Sequence, residues 1–263
     1  MRHSLDQQHV LIAGGSGELG FAAARALVDA GAPVTLLARG SEALTTAATR
    51  LINDVDGDVL TVTADLASRP SVERAVSHAT NSFGDIDTVI YALRHDVTGP
   101  FDAIDPARFQ QGMNMMLAGA LNLMALTVPA MQARGHGRVL FMMGQDALAG
   151  RRFGVADCAM MHGLTGMIRA LAREVAETGV TVNGLVCGLL DSDRLALQVD
   201  QVVAHTRRDR GSVMADLTMR NPQRRFIELS EIGATALWLV DPSTQALNGQ
   251  IIAADGGEIG SPL

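Results

Sequence analysis

Val10-Leu-Ile-Ala-Gly-Gly-Ser-Gly-Glu-Leu-Gly20 is a short apolar run that breaks into glycines at 14, 15, 17 and 20, and the stretch after it, Phe21 to Ala30, is helix-like. Strand, tight turn and helix in that order form a dinucleotide-binding turn. Glycines permit positive φ and a close backbone approach, and a pyrophosphate then rests on the free N–H groups at the helix N-terminus. Gly14, Ser16, Gly17, Leu19 and Gly20 are therefore candidate cofactor contacts. The alternative is a turn that is merely tight. Glu18 suits a helix N-terminus, but it repels a phosphate unless its side chain points outward.

Outward from this turn the same unit repeats. Pro33 to Ala38 is a buried strand followed by a helix through about Asn53, Val59 to Thr63 is a third strand, Ser71 to Phe83 an amphipathic helix, and Thr88 to Leu93 a fourth strand. The centre continues with a long helix from about Pro106 to Arg134, a strand at Arg138 to Met143, a helix from about Asp157 to Thr178 and a strand at Thr181 to Val186. Leu229 to Leu239 is a helix and Gly249 to Ala254 a last strand, while Leu189 to Phe226 is polar, Arg-rich and weak in periodicity. That segment is expected to be an excursion over the sheet edge that forms a substrate lid. The alternation predicts an α/β chain with a Rossmann-like, doubly wound parallel sheet as one domain over residues 1–263, with ligands at the carboxyl ends of the strands. Many of the methionines fall in the centre, at 113, 115, 116, 124, 131, 142, 143, 160, 161 and 167, and read first as adaptable core packing.

Composition narrows the function. The 263 residues are 48% hydrophobic with net charge −7, which argues for one large core and against nucleic acid or an anionic membrane as partner. No run approaches the roughly 18 apolar residues of a membrane span, and the start, Met1-Arg-His-Ser-Leu-Asp-Gln-Gln-His9, lacks the apolar core of a signal peptide. A cytoplasmic location is expected. Cys158 and Cys187 make no disulfide framework, and no Cys/His spacing suggests a metal. All 21 basic residues are arginines and the one tyrosine is Tyr91, so chemistry that needs a lysine ammonium is excluded.

The order of motifs resembles the short-chain dehydrogenase/reductase family over essentially the whole chain. Ala13-Gly-Gly-Ser-Gly-Glu-Leu-Gly20 is similar to that family's glycine turn, and Asp65-Leu66 to its adenine-contacting motif. Gly137-Arg-Val, Ala170-Leu-Ala-Arg-Glu174, Val180-Thr-Val-Asn183 and Gly249-Gln-Ile-Ile-Ala-Ala-Asp-Gly-Gly257 resemble its later strands and C-terminal signature. The resemblance implies a nicotinamide cofactor contacted by Asp65, Leu66, Ala92 of Tyr91-Ala-Leu-Arg94, Gly188 of Cys187-Gly188, and Ser192, whose hydroxyl would lie near the carboxamide. Ala38 stands where an acid would select a free 2′-hydroxyl, and Arg39 after it suits a 2′-phosphate, which favours NADP(H). The alternative for Arg39 is a surface residue that opens a helix.

The active site departs from the family. Its serine position falls on Gly144, its tyrosine on Asp157, its lysine on Met161 and its asparagine on Met116. General acid–base help from such groups is worth about 10²–10⁴-fold, and none of it is available there. Asp157 is the first replacement candidate, as a carboxyl set among methionines that acts as acid or base; the alternative is a helix N-cap. His95, just past the fourth strand, is the second candidate, against an ordinary loop histidine. His162 is expected to turn away, Gln145 and Asp146 to be loop residues, and Cys158 to be a small buried hydrophobe. Three readings stay open: an NADP(H)-dependent oxidoreductase with non-standard acid–base residues acting on a small molecule, a non-redox enzyme such as an isomerase, cyclase or lyase, and a non-catalytic binding protein. The apolar helices 106–134 and 157–178 match the faces through which the resembled family commonly forms dimers or tetramers.

Overall fold

The computed structural model describes residues 5, 6 and 8–259, so the first four residues of the start discussed above lie outside it. Seven parallel strands form one sheet in the order β3-β2-β1-β4-β5-β6-β7. They are β1 (His9–Ala13), β2 (Val34–Ala38), β3 (Val59–Thr63), β4 (Ile86–Tyr91), β5 (Gly137–Gly144), β6 (Val180–Cys187) and β7 (Ile251–Ala254). Strands β1, β5 and β6 are buried almost end to end, as apolar strands covered on both faces must be.

On one face lie α1 (Glu18–Asp29), α2 (Ser41–Asp54) and α9 (Leu229–Val240), whose apolar sides share a core with Val10, Ile12, Leu36, Ile90 and Leu185. On the other lie α3 (Arg69–Phe83), α4 (Pro106–Met113), α5 (Gly119–Arg134) and α6 (Val155–Glu174), packed on Leu11, Val89, Tyr91, Phe141 and Val182. Met116, Met124, Met131, Met143, Met160 and Met161 sit inside this second core, so packing is the role of most of the methionines. Helices α4 and α5 run on through one π-helical turn, Asn114–Ala118. The continuous run Pro106–Arg134 is long and apolar enough, by length and composition, to cross a membrane, which the reading by uninterrupted apolar runs missed; here Met116, Ala120, Leu123 and Met131 bury its inner side.

Residues 189–226 do leave the sheet, but they are more regular than their weak periodicity suggested. They contain α7 (Asp193–Thr206) and α8 (Arg210–Arg220), which enclose a small core of Leu195, Val199 and Val213 with Leu217 and Phe226 against it. An isolated bridge, Leu190 to Ile227, ties the two ends of the excursion together.

Candidate cofactor and active site

Strand order reverses between β1 and β4: the chain moves outward through β2 and β3, then returns beside β1. Loops at the carboxyl ends of those two strands diverge and leave a crevice. A cleft of about 940 Å³ opens there.

Its first wall is the glycine turn. Gly14 has φ of +84°, and a Cβ on it would meet the Ala92 carbonyl oxygen at 2.6 Å, so only glycine lets β1 turn against the end of β4. A Cβ at Gly20 would stand 2.3 Å from the Gly14 oxygen; Gly20 packs the helix onto the turn and does not line the cleft. Gly17 is the N-cap of α1 with no side chain capping it, and Gly17, Ser16, Glu18 and Leu19 all line the cleft. The uncapped N–H groups of this helix therefore face the space where an anion would be held.

A second wall is contributed by the ends of β2 and β3. Arg39 lines the cleft, is exposed, and has no ion-pair partner among the described residues. Asp65 accepts the Ala67 N–H at 3.0 Å in a local turn, and Asn122 donates to the Leu66 carbonyl at 2.9 Å, so both residues are held in place from below. Ala92 and Gly188 complete the lining. A Cβ on Gly188 would meet Asp255 Cα at 2.7 Å, which explains the glycine after β6 by close packing. Ser192 lines the cleft as well, but its oxygen accepts from Leu195 N at 3.3 Å as the N-cap of α7. Its oxygen caps the helix, and its O–H stays available on the cleft side where a cofactor contact is expected.

At the other end the expected acid–base residues are placed differently from the sequence reading. Asp157 is buried, but it does not line the cleft. Its Oδ1 accepts from Val97 N at 2.7 Å, and its Oδ2 accepts from Thr98 Oγ1 at 2.8 Å and Arg151 Nη2 at 2.8 Å. It is not a helix N-cap either, since that position is Gly154. The carboxylate clasps the loop after β4 to the start of α6. Arg151 also binds Asp146 through Nε at 2.9 Å and Nη2 at 3.1 Å, and these bonds, with Asp146 foremost, push its pKa above the ordinary value. His95 lies outside the cleft lining, with Nε2 3.2 Å from the Arg108 carbonyl, and it crowds Gly112, where a Cβ would meet its Cδ2 at 2.7 Å. His162 is exposed and bonds back to Cys158 O at 3.0 Å, within its own helix. Cys158 is only partly buried, beside Asp146, where burial raises its pKa.

Tyr91 is not a displaced catalytic tyrosine. Its hydroxyl donates to the Met115 carbonyl at 2.7 Å and reaches the Met116 carbonyl at 3.2 Å, and burial pushes its pKa far above that of an exposed phenol. It satisfies carbonyls of the π-helical turn.

The groups that do line the reaction end are Arg94, Thr98, Gly144, Gln145, Asp146, Arg151 and Cys187. Burial holds the Cys187 thiol up at about 12, so it is no nucleophile near neutral pH. In the sequence Gln145 and Asp146 read only as loop residues, and Arg94 and Arg151 were given no place in the cleft. One signal was legible for Arg94: it is a charged residue just past the carboxyl end of a central parallel strand, where ligands of such sheets bind.

The profile of the short chain dehydrogenase family matches residues 8–202. The chain belongs to that family. Among the relatives of this short-chain dehydrogenase are a D-beta-hydroxybutyrate dehydrogenase of Rhizobium meliloti (strain 1021), 24% identical over 94% of this chain and 96% of that one. A levodione reductase of Leifsonia aquatica is 26% identical over 95% and 93%. The L-sorbose reductase of Gluconobacter frateurii, solved with NADPH and L-sorbose, superposes with a TM-score of 0.93 at 22% identity, covering 100% of both chains. A putative NAD(P)-dependent gluconate 5-dehydrogenase of Beutenbergia cavernae, solved with bound NADP, has a TM-score of 0.87 at 25% identity over 99% of this chain and 100% of that one.

Proposed function

We propose that this short-chain dehydrogenase binds NADP(H) and acts as an oxidoreductase on a small carbonyl or alcohol compound without the family's tyrosine–lysine proton relay. The observation that carries this reading is one continuous cleft running from the uncapped α1 N-terminus, past Arg39 and Asp65, to the polar groups beside Gly144. The cradle fits the cofactor: glycines 14 and 17 leave room where a Cβ would intrude or narrow the turn, and Arg39 offers its charge to a 2′-phosphate. NADP bound to the gluconate 5-dehydrogenase relative supports it. The bound cofactor would supply or accept a hydride.

This chain's residues would hold the cofactor and fix positive charge near the reacting oxygen. Arg94 lines that end of the cleft, where a preorganised donor would face the substrate. With Gly144, Asp157 and Met161 at the relay positions, proton exchange falls to solvent, so turnover of simple ketones should be slow. A second reading, nucleotide binding without catalysis, is favoured by the absence of Asp157 and His95 from the cleft lining. The non-redox reading had relied on those two residues and loses its reacting groups.

Calorimetric titration with NADPH and NADH tests the cofactor. NADPH is expected to bind tighter, and Arg39→Ala should cut its advantage by about tenfold, the worth of one charge-assisted contact. If neither nucleotide binds at millimolar concentration, the cofactor reading fails. Assays against small ketones and alcohols then separate the two readings: slow turnover supports the oxidoreductase, none supports the binding protein, and rates near ~10 s⁻¹ would show that the relay is dispensable.

A further inference from the structure

The serine and lysine positions of the relay carry no acid or base, and the Asp157 carboxylate at the tyrosine position is tied to Val97, Thr98 and Arg151, but the space they leave is not neutral. A Cβ built on Gly144 would have nothing nearer than Nη1 of Arg94 at 4.0 Å. A guanidinium thus faces the room left where the family places its serine. Arg94 and the buried Cys187 at the end of β6 line the same cleft. Arg94 therefore stands among groups from the carboxyl ends of β4, β5 and β6.

Its donors are only partly used. Nε binds Asp96 at 2.7 Å, and no acceptor among the described residues meets Nη1 or Nη2. Arg151, by contrast, is engaged by Asp146 and Asp157. Beside Gly144, the Gln145 side chain lines the same cleft, and its buried Nε2 has no hydrogen-bond partner among the described residues. A buried donor without an acceptor is costly and calls for a partner that the described residues do not provide. Arg220, at the end of α8, lines the same cleft and makes no ion pair among the described residues. Among the described residues Asp146 is the one carboxylate lining this end, and Arg151 already neutralises it.

We propose that the reaction end is an anion subsite in which Arg94 and Gln145, with Arg220 in the same cleft, receive the carboxylate of a small acidic substrate. The planar guanidinium fork matches a carboxylate in a way that a neutral hydroxyl or ketone does not. This names the substrate class and rests on the reading of the cleft as a cofactor and substrate site.

The test uses the full chain and three acid–ester pairs: acetate, levulinate and phenylacetate with their methyl esters, each titrated calorimetrically with and without NADPH. At least one acid should bind ten or more times tighter than its ester. Arg94→Gln should abolish that difference and leave NADPH affinity unchanged, and Arg94→Lys should restore part of it. Because Arg94 is exposed, both variants should fold, which circular dichroism checks. The proposal is overturned if no acid outbinds its ester. It is equally overturned if Arg94→Gln weakens NADPH as much as the acid, because the guanidinium then serves a cofactor phosphate. Acid-selective binding without NADPH binding would sink the cofactor reading and leave the subsite standing.

Discussion

The sequence reading set Asp157 at the tyrosine position of the resembled family, and the role of the residue follows from what surrounds it. A carboxyl buried without a partner would be a proton donor or acceptor; this one accepts from a backbone N–H, a hydroxyl and a guanidinium. Asp157→Asn replaces one oxygen by a donor that must face Val97 N–H or the Thr98 and Arg151 donors. The loss expected is about 2 kcal/mol, below the 3–5 of a fully buried pair because Arg151 is half exposed. A denaturant titration measures it. A neutral result would mean that the carboxylate's charge contributes nothing to holding the 97–98 loop. The change should not alter the pH profile of any turnover, since the side chain does not reach the cleft.

At the scale of elements, the π-helical turn between α4 and α5 contains Met116, the residue that the sequence reading set at the family's asparagine position. Tyr91, from the end of β4, reaches across this turn to the Met115 and Met116 carbonyls. Gly119 leaves room for the phenol, since a Cβ there would meet the hydroxyl at 3.0 Å. Tyr91→Phe keeps the ring and its contact with Phe141 but strands the carbonyls, at a cost of about 1–3 kcal/mol. The unfolding midpoint should fall accordingly. An unchanged midpoint would show that the turn satisfies its carbonyls without the hydroxyl.

Across the whole molecule, the sheet carries its own pH sensitivity. His9 in β1 is fully buried; the Gly84 carbonyl accepts from Nδ1 at 2.9 Å, which leaves Nε2 to accept from Thr35 Oγ1 at 2.9 Å. That is the neutral ring, and burial lowers its pKa, against the smaller opposing effects of the Gly84 bond and the Asp87 charge. His136 is lowered too, by burial and then by Arg138. Below about pH 6.5 the unfolded chain takes up protons that the folded chain refuses, so stability present at pH 7 is lost as pH falls toward the folded pKa values. Unfolding free energies measured at pH 7 and 5.5 should show the lower value at 5.5. A flat or rising profile toward acid would contradict this.

The sequence alone determined the order of strands and helices, the parallel doubly wound sheet and the glycine turn at its switch point. Those features are local: apolar runs, helical spacing and glycines whose backbone conformation depends on near neighbours. It also determined what is missing, because a chain with no lysine and one tyrosine cannot supply the relay wherever it folds. Only the tertiary structure decided what replaces it. Asp157 could be read as acid, base or cap until Arg151, Val97 and Thr98 converged on it, and His95 could be set beside the cofactor until it was found packed outside the cleft. Arg94 was given no role and Gln145 was read as a loop residue because nothing in their immediate sequence shows that the ends of β4 and β5 bring them to one point. The helices within residues 189–226 were missed for another reason: α7 does space Leu195, Val199 and Val203 as a helix does, but the arginines and acids around them drew the reading toward an irregular polar segment.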